Sequence, residues 1–197
     1  MKTAPEPTDE RVTDVHFAGN IHLHRDFHSS VLDNDRNIWV YLPPSYTRGR
    51  RRYAVLYLQD GQNMFNPKTA FAGVEWQMDE TAEQLIAEGK IEEIIMVAVS
   101  NTPDRMAEYT HVPDPEYGGG NLEAYARFLK TELKPYIDRH YRTRTEPSHT
   151  GILGSSLGGL SALYLGWYHG DTFGLVGAVS PSLWWAERDL TRRLAKD

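Results

Sequence analysis

Gly154-Ser155-Ser156-Leu157-Gly158 decides how this chain is read. An apolar run, His149 to Leu153, precedes it, and a helical pattern, Leu160 to Tyr168, follows it. This is G-x-S-x-G in a strand–turn–helix setting, where a sharp turn pushes the central serine hydroxyl clear of the backbone. The flanking glycines permit close helix packing and torsions that a side chain would forbid. Ser156, at the centre of the motif, is the candidate nucleophile, with Ser155 its neighbour in the same turn.

Working outward, the rest of the chain alternates in the way a parallel sheet requires. Tyr53–Leu58 and Ile94–Val99 are nearly continuous apolar runs, the pattern of strands covered on both faces. Residues 76–88 have helical spacing, stopped by Gly89, and a second helix runs from Leu122 behind Asn121 as its cap, with Pro135 kinking or dividing it. Leu175–Val179 is a further strand, and Ala186–Ala195 a short charged helix. Toward the N-terminus, Arg36–Leu42 reads as a strand, and Val12–Phe17 with Ile21–Phe27 as a hairpin around Gly19-Asn20. Residues 1–11 read as a loose tail, leaving 12–197 as one domain.

The order β, α, β, α, β, α, β builds a mostly parallel, twisted α/β sheet with helices on both faces. Chemistry in such sheets sits beyond the carboxyl ends of the strands. Four segments follow strands: Asp60–Phe65, Ser100–Gly120, Ser155–Leu157 and Ser180–Trp185. In Gln59-Asp60-Gly61-Gln62, the amide of Gln62 or of its neighbour Gly61, together with that of Leu157, suits an oxyanion formed on a carbonyl. Asp60, Arg105 and Tyr109 are candidates for a substrate pocket. Trp184 and Trp185 either line that pocket or cover the core.

Bulk properties narrow the function. The 197 residues are 40% apolar, a globular composition, and the net charge of -6 argues against a nucleic-acid partner. The basic cluster Arg48, Arg50, Arg51 and Arg52 reads as a solvated turn. With no cysteine, disulfides, thiolate metal sites and a cysteine nucleophile are excluded. No apolar run is long enough to span a bilayer, and no secretory signal is visible near Met1, so the chain reads as cytoplasmic, with secretion through a removed signal left open. His22, His24 and His28 read as a solvated strand, and no metal is expected.

Several longer stretches are more specific than the pentapeptide: IWVYLPPSY, YAVLYLQDGQNMF, EYT with Gly118-Gly119-Gly120, LKPYIDRHYRT, GILGSSLGGLSALYLG and FGLVGAVSPSLWW. Through them the chain resembles the esterase family of α/β hydrolases related to enterochelin esterases, esterase D and some feruloyl esterases. The resemblance spans roughly Arg36 to Trp185. It implies an α/β-hydrolase fold, no cofactor, a small-molecule ester substrate, and hydrolysis through an acyl-enzyme on Ser156. It also implies two further strands, carrying the acidic and histidine partners of the serine, which these 197 residues do not reach. Of the histidines present, only His111 lies in a loop after a parallel strand, making it the candidate surrogate base. Leu175–Val179 then becomes an apolar edge, from which a homo-oligomer is expected. Two rival functions are a non-catalytic module that binds a ligand or partner in the same pocket, and an acyltransferase on the same fold.

Overall fold

Alternation of side chains builds the centre of the molecule. The computed structural model describes residues 8–14 and 16–196. The strands are β1 (Thr8–Val12), β2 (Asn20–Ser29), β3 (Asn34–Leu42), β4 (Ala54–Gln59) and β5 (Ile94–Val99), a two-residue ladder of β6 (Pro113–Asp114) and β7 (Gly118–Gly119), β8 (Thr150–Ser155) and β9 (Leu175–Val179). The helices are α1 (Met78–Ala87), α2 (Arg105–Glu108), α3 (Leu122–Phe128), α4 (Lys134–His140), α5 (Leu157–Tyr168) and α6 (Trp185–Leu194). In β5, Ile95, Val97 and Val99 enter one core, and Met96 and Ala98 enter another on the opposite face. β3 and β4 divide in the same way, with Val40 and Tyr57 on the first face and Tyr41 and Leu58 on the second. A strand buried on both faces has no polar side, which is why these runs are continuously apolar.

The main sheet has the order β1-β2-β3-β5-β4-β8-β9. The first three strands join antiparallel, as does β3 with β5; β5, β4, β8 and β9 are parallel. Helices α3, α4, α5 and α6 contribute to one face, through residues such as Phe128, Ile137, Leu160 and Leu190, and α1 covers the other through Ala82 and Ile86. The chain leaves β4 toward β5 on one side and leaves β8 toward β9 on the other. The carboxyl ends of β4 and β8 therefore flank the switch point, the place where doubly wound sheets open a crevice.

Two readings need correction. The strand preceding β2 is Thr8–Val12, not Val12–Phe17, so Thr8–Arg11 of the expected tail is sheet; residues 1–7 lie outside the described residues. β1 is a polar strand held by cross-strand polar contacts, His22 with Asp9 at 2.9 Å and Arg25 on Glu10 at 3.2 Å, which an apolar pattern does not detect. Helix α1 starts at Met78, leaving Trp76 outside it and partly exposed. Around Pro135 the helix is divided, just upstream of the proline: a wide π turn over Leu129–Leu133 separates α3 from α4, and Pro135 stands in the first turn of α4.

Candidate active site

Two tight corners meet at the switch point. After β8, Ser156 has φ 56° and ψ −120°, an unusual conformation for a residue with a side chain. Backbone bonds hold it: its amide donates to Val179 at 3.1 Å, and its carbonyl accepts from Leu160 at 3.0 Å and Ser182 at 2.9 Å. The motif's glycines are there for space. A Cβ on Gly154 would stand 2.4 Å from the carbonyl carbon and oxygen of Gly158, and one on Gly158 would stand 3.1 Å from Cβ of Gln59. The Ser156 side chain is left exposed, its hydroxyl 3.1 Å from that of Ser182.

After β4, Asp60 occupies the left-handed region, φ 57° and ψ 47°. Its side chain is clamped. Arg105 donates from Nε to Oδ1 at 2.6 Å and from an η nitrogen to Oδ2 at 2.8 Å, and Asn101 donates to Oδ1 at 2.6 Å. The carboxylate raises the Arg105 pKa beyond its already high value. The Asp60 amide donates to the buried Tyr109 hydroxyl at 3.0 Å, and burial pushes that phenol well above its usual range. Next to it, Tyr125 donates to Gln59 at 2.6 Å. Asp60 thus enters a single 3₁₀ turn, Gly61–Asn63, whose first internal bond runs from Asn63 to Asp60. The amides of Gly61 and Gln62 precede that bond, and the Leu157 amide, at the start of α5, precedes the first turn of its helix; such groups point outward from their turns.

A cavity of about 580 Å³ joins the corners, lined by Asp60, Gln62, Asn63, Phe71, Asn101, Arg105 and Ser156. Trp76 closes an adjoining recess beside Ser155 and Ser156. Three of the four strand-end segments line this space, and the fourth reaches Ser156 through Ser182. Gly61 is buried against the β5 backbone, where a Cβ would come within 2.4 Å of Ala98, so only Gln62 of that pair faces the cavity. Tyr109 is buried beneath the floor and touches the site through Asp60.

The remaining candidates lie elsewhere. Trp185 is buried and donates its indole N–H to Val112 at 2.8 Å; it is core, not pocket. Trp184 is exposed, in a separate surface hollow with Pro181, Leu183, Arg188 and Thr191. His111 is not on Ser156: its Nε2 lies 3.0 Å from Asp189 of α6 and its ring leans on Tyr164. Burial lowers its pKa against the pull of Asp189. Among the described residues no imidazole reaches the Ser156 hydroxyl. His22, His24 and His28 do not converge either; they pair with Asp9, with Tyr141 and Tyr136, and with Asp35 respectively. Sequence reading missed Asn101, Phe71, Trp76 and Ser182. Asn101 was within reach, since it is the second residue after β5; nothing local marks Phe71 or Trp76, which come from the segment before α1.

A doubly wound sheet with a serine on a strained strand–helix corner defines an α/β hydrolase. The chain belongs to the esterase family, whose model, "Putative esterase", matches residues 29–195. Among curated relatives, the ferri-bacillibactin esterase BesA of Bacillus subtilis is 30% identical over 176 residues, covering 79% of this chain and 57% of that protein. The iron(III) enterobactin esterase of Dickeya dadantii is 28% identical over 163 residues, covering 81% and 33%. An IroE-like serine hydrolase from Shewanella oneidensis superposes with a TM-score of 0.72 at 25% identity, covering 90% of this chain and 55% of that one. The chain spans about half the length of such relatives. Among the described residues, no helix is long and apolar enough to cross a membrane.

Proposed function

We propose that this chain carries the nucleophile and oxyanion site of a carboxylic-ester hydrolase. The Ser156 oxygen attacks the ester carbonyl carbon, and the negative charge that forms on the carbonyl oxygen is received by the amides of Leu157 and Gln62. The carbon–oxygen bond to the alcohol then breaks, and the alcohol leaves with a proton. Water attacks the acyl-serine, releases the acid and returns a proton to Ser156. The observation that carries this reading is the exposed serine hydroxyl on a strained corner, sharing one cavity with Gln62. Asp60 and Arg105 act as positioning residues that hold the Gln62 turn. The iron(III) enterobactin and ferri-bacillibactin esterases among the relatives support an ester of that kind, and the exposed rings of Phe71 and Trp76 support an aryl group within it.

A fluorophosphonate probe tests the proposal, because it needs an activated serine and an oxyanion site and no knowledge of the substrate. Stoichiometric labelling on Ser156, abolished in Ser156→Ala, is expected. An inert wild-type protein would favour the second reading, a binding module. That reading is supported by the pairing of the Ser156 hydroxyl with that of Ser182.

We also infer a homo-oligomer through β9. The two edges of the sheet differ: β1 is lined with charge, a device that discourages pairing, whereas β9 exposes Leu175, Val176 and Val179. Light scattering at micromolar concentration is expected to give a dimer or larger species; a strict monomer would refute it. We infer a cytoplasmic setting, which cell fractionation tests.

A further inference from the structure

Just before α1 and within its first turn, the carboxylates of Glu75, Asp79 and Glu80 converge, with one oxygen from each lying within 4.8 Å of the others. Acidic clusters are common on surfaces, where water and salt relieve them. This one is inside. Asp79 is 0% exposed, and its Oδ1 has neither accessible surface nor a hydrogen-bond donor. The same holds for Glu75 Oε2 and Glu80 Oε2. The other Asp79 oxygen is held by the Ala18 amide at 2.8 Å, which fixes the carboxylate with its bare oxygen turned to its neighbours.

Buried carboxylate oxygens without donors are costly, and three crowded together repel as well. Three oxygens at this spacing are compatible with one cation, since Ca²⁺ holds its oxygen ligands at about 2.3–2.6 Å and tolerates irregular geometry, whereas Mg²⁺ demands a near-ideal octahedron. We propose that Glu75, Asp79 and Glu80 form a binding site for a Ca²⁺-sized hard divalent cation, with water and backbone oxygens completing its shell.

The site is tied to the oxyanion corner. Trp76, between two of its ligands, donates its amide to Asn63 at 2.9 Å, and Met78 donates to Met64 at 3.1 Å. A cation would brace these links and with them the turn that presents Gln62. The site stands independently of whether Ser156 is acylated.

Calorimetric titration of the EDTA-treated chain with Ca²⁺ and with Mg²⁺, alongside thermal melts, tests the proposal. One saturable Ca²⁺ site per chain and a rise in Tm are expected. Glu80→Gln and Glu75→Gln should each weaken binding by about tenfold or more, as charge count sets the affinity of such sites. Asp79→Asn keeps an acceptor for Ala18, and is expected to fold without metal while losing the Ca²⁺-induced rise. The proposal is overturned if Ca²⁺ produces neither heat nor a shift in Tm, which would leave a shared proton as the neutralising agent. A response to Mg²⁺ alone, or Ca²⁺ binding that both glutamate variants leave unchanged, overturns it equally.

Discussion

The corners after β4 and β8 look alike and are held in opposite ways. Each places a residue with a side chain at positive φ at the end of a parallel strand, Asp60 at 57° and Ser156 at 56°. At Asp60 the side chain itself maintains the conformation, with both carboxylate oxygens engaged by Arg105 and one of them also by Asn101. At Ser156 the backbone and two missing side chains do so, and the hydroxyl stays exposed. A group that holds a strained turn in place is not available for chemistry. The division between a fixed corner that presents an amide and a corner that presents an exposed hydroxyl is what the proposed reaction requires.

That contrast can be broken from either side. The largest effect is expected from Gly154→Ala. Its methyl group would fall 2.4 Å from Gly158 backbone atoms, which no rotamer change relieves, and a loss of about 3 kcal/mol or more should appear in denaturant melts. Next is Arg105→Met, which leaves Asp60 without its ion pair. A misplaced oxyanion donor costs on the order of 100-fold in rate, so the fluorophosphonate labelling rate should fall by about that factor. Recovery is expected to be partial in Arg105→Lys, which supplies one donor in place of a fork, while a purely structural role would lower Tm and leave the rate per folded molecule intact. The smallest effect belongs to Tyr109→Phe, which takes the acceptor from the Asp60 amide. A cost of about 1–3 kcal/mol in thermal melts is expected, with Ser156 labelling still present in the folded fraction.

Legibility in the sequence followed range. The elbow was readable because its chemistry is local: a strand, a corner and a helix in consecutive residues, with glycines where backbone crowds backbone. β3, β4, β5 and β8 were readable because burial on both faces leaves an apolar run; β9 was readable from the same kind of run although Leu175, Val176 and Val179 are exposed. β1 was not, since its partners are charged residues on β2 that only pairing brings opposite. His111 illustrates the same limit from the other direction: following a parallel strand placed it on the correct side of the sheet, but Asp189, 78 positions away, determines where its ring sits. Trp184 and Trp185 are adjacent in sequence, yet one is exposed and the other buried on Val112.

The sequence by itself determined the alternation of strands and helices, the identity of the elbow serine and the family, because these rest on hydrophobic period and on steric demands within a few residues. Only the tertiary structure decided which polar groups meet: Arg105 with Asp60, Ser182 with Ser156, and the carboxylates of Glu75, Asp79 and Glu80. Such pairings span segments distant in the chain, and the energy of a hydrogen bond or a buried charge depends on distances and exclusion of water that no local pattern encodes.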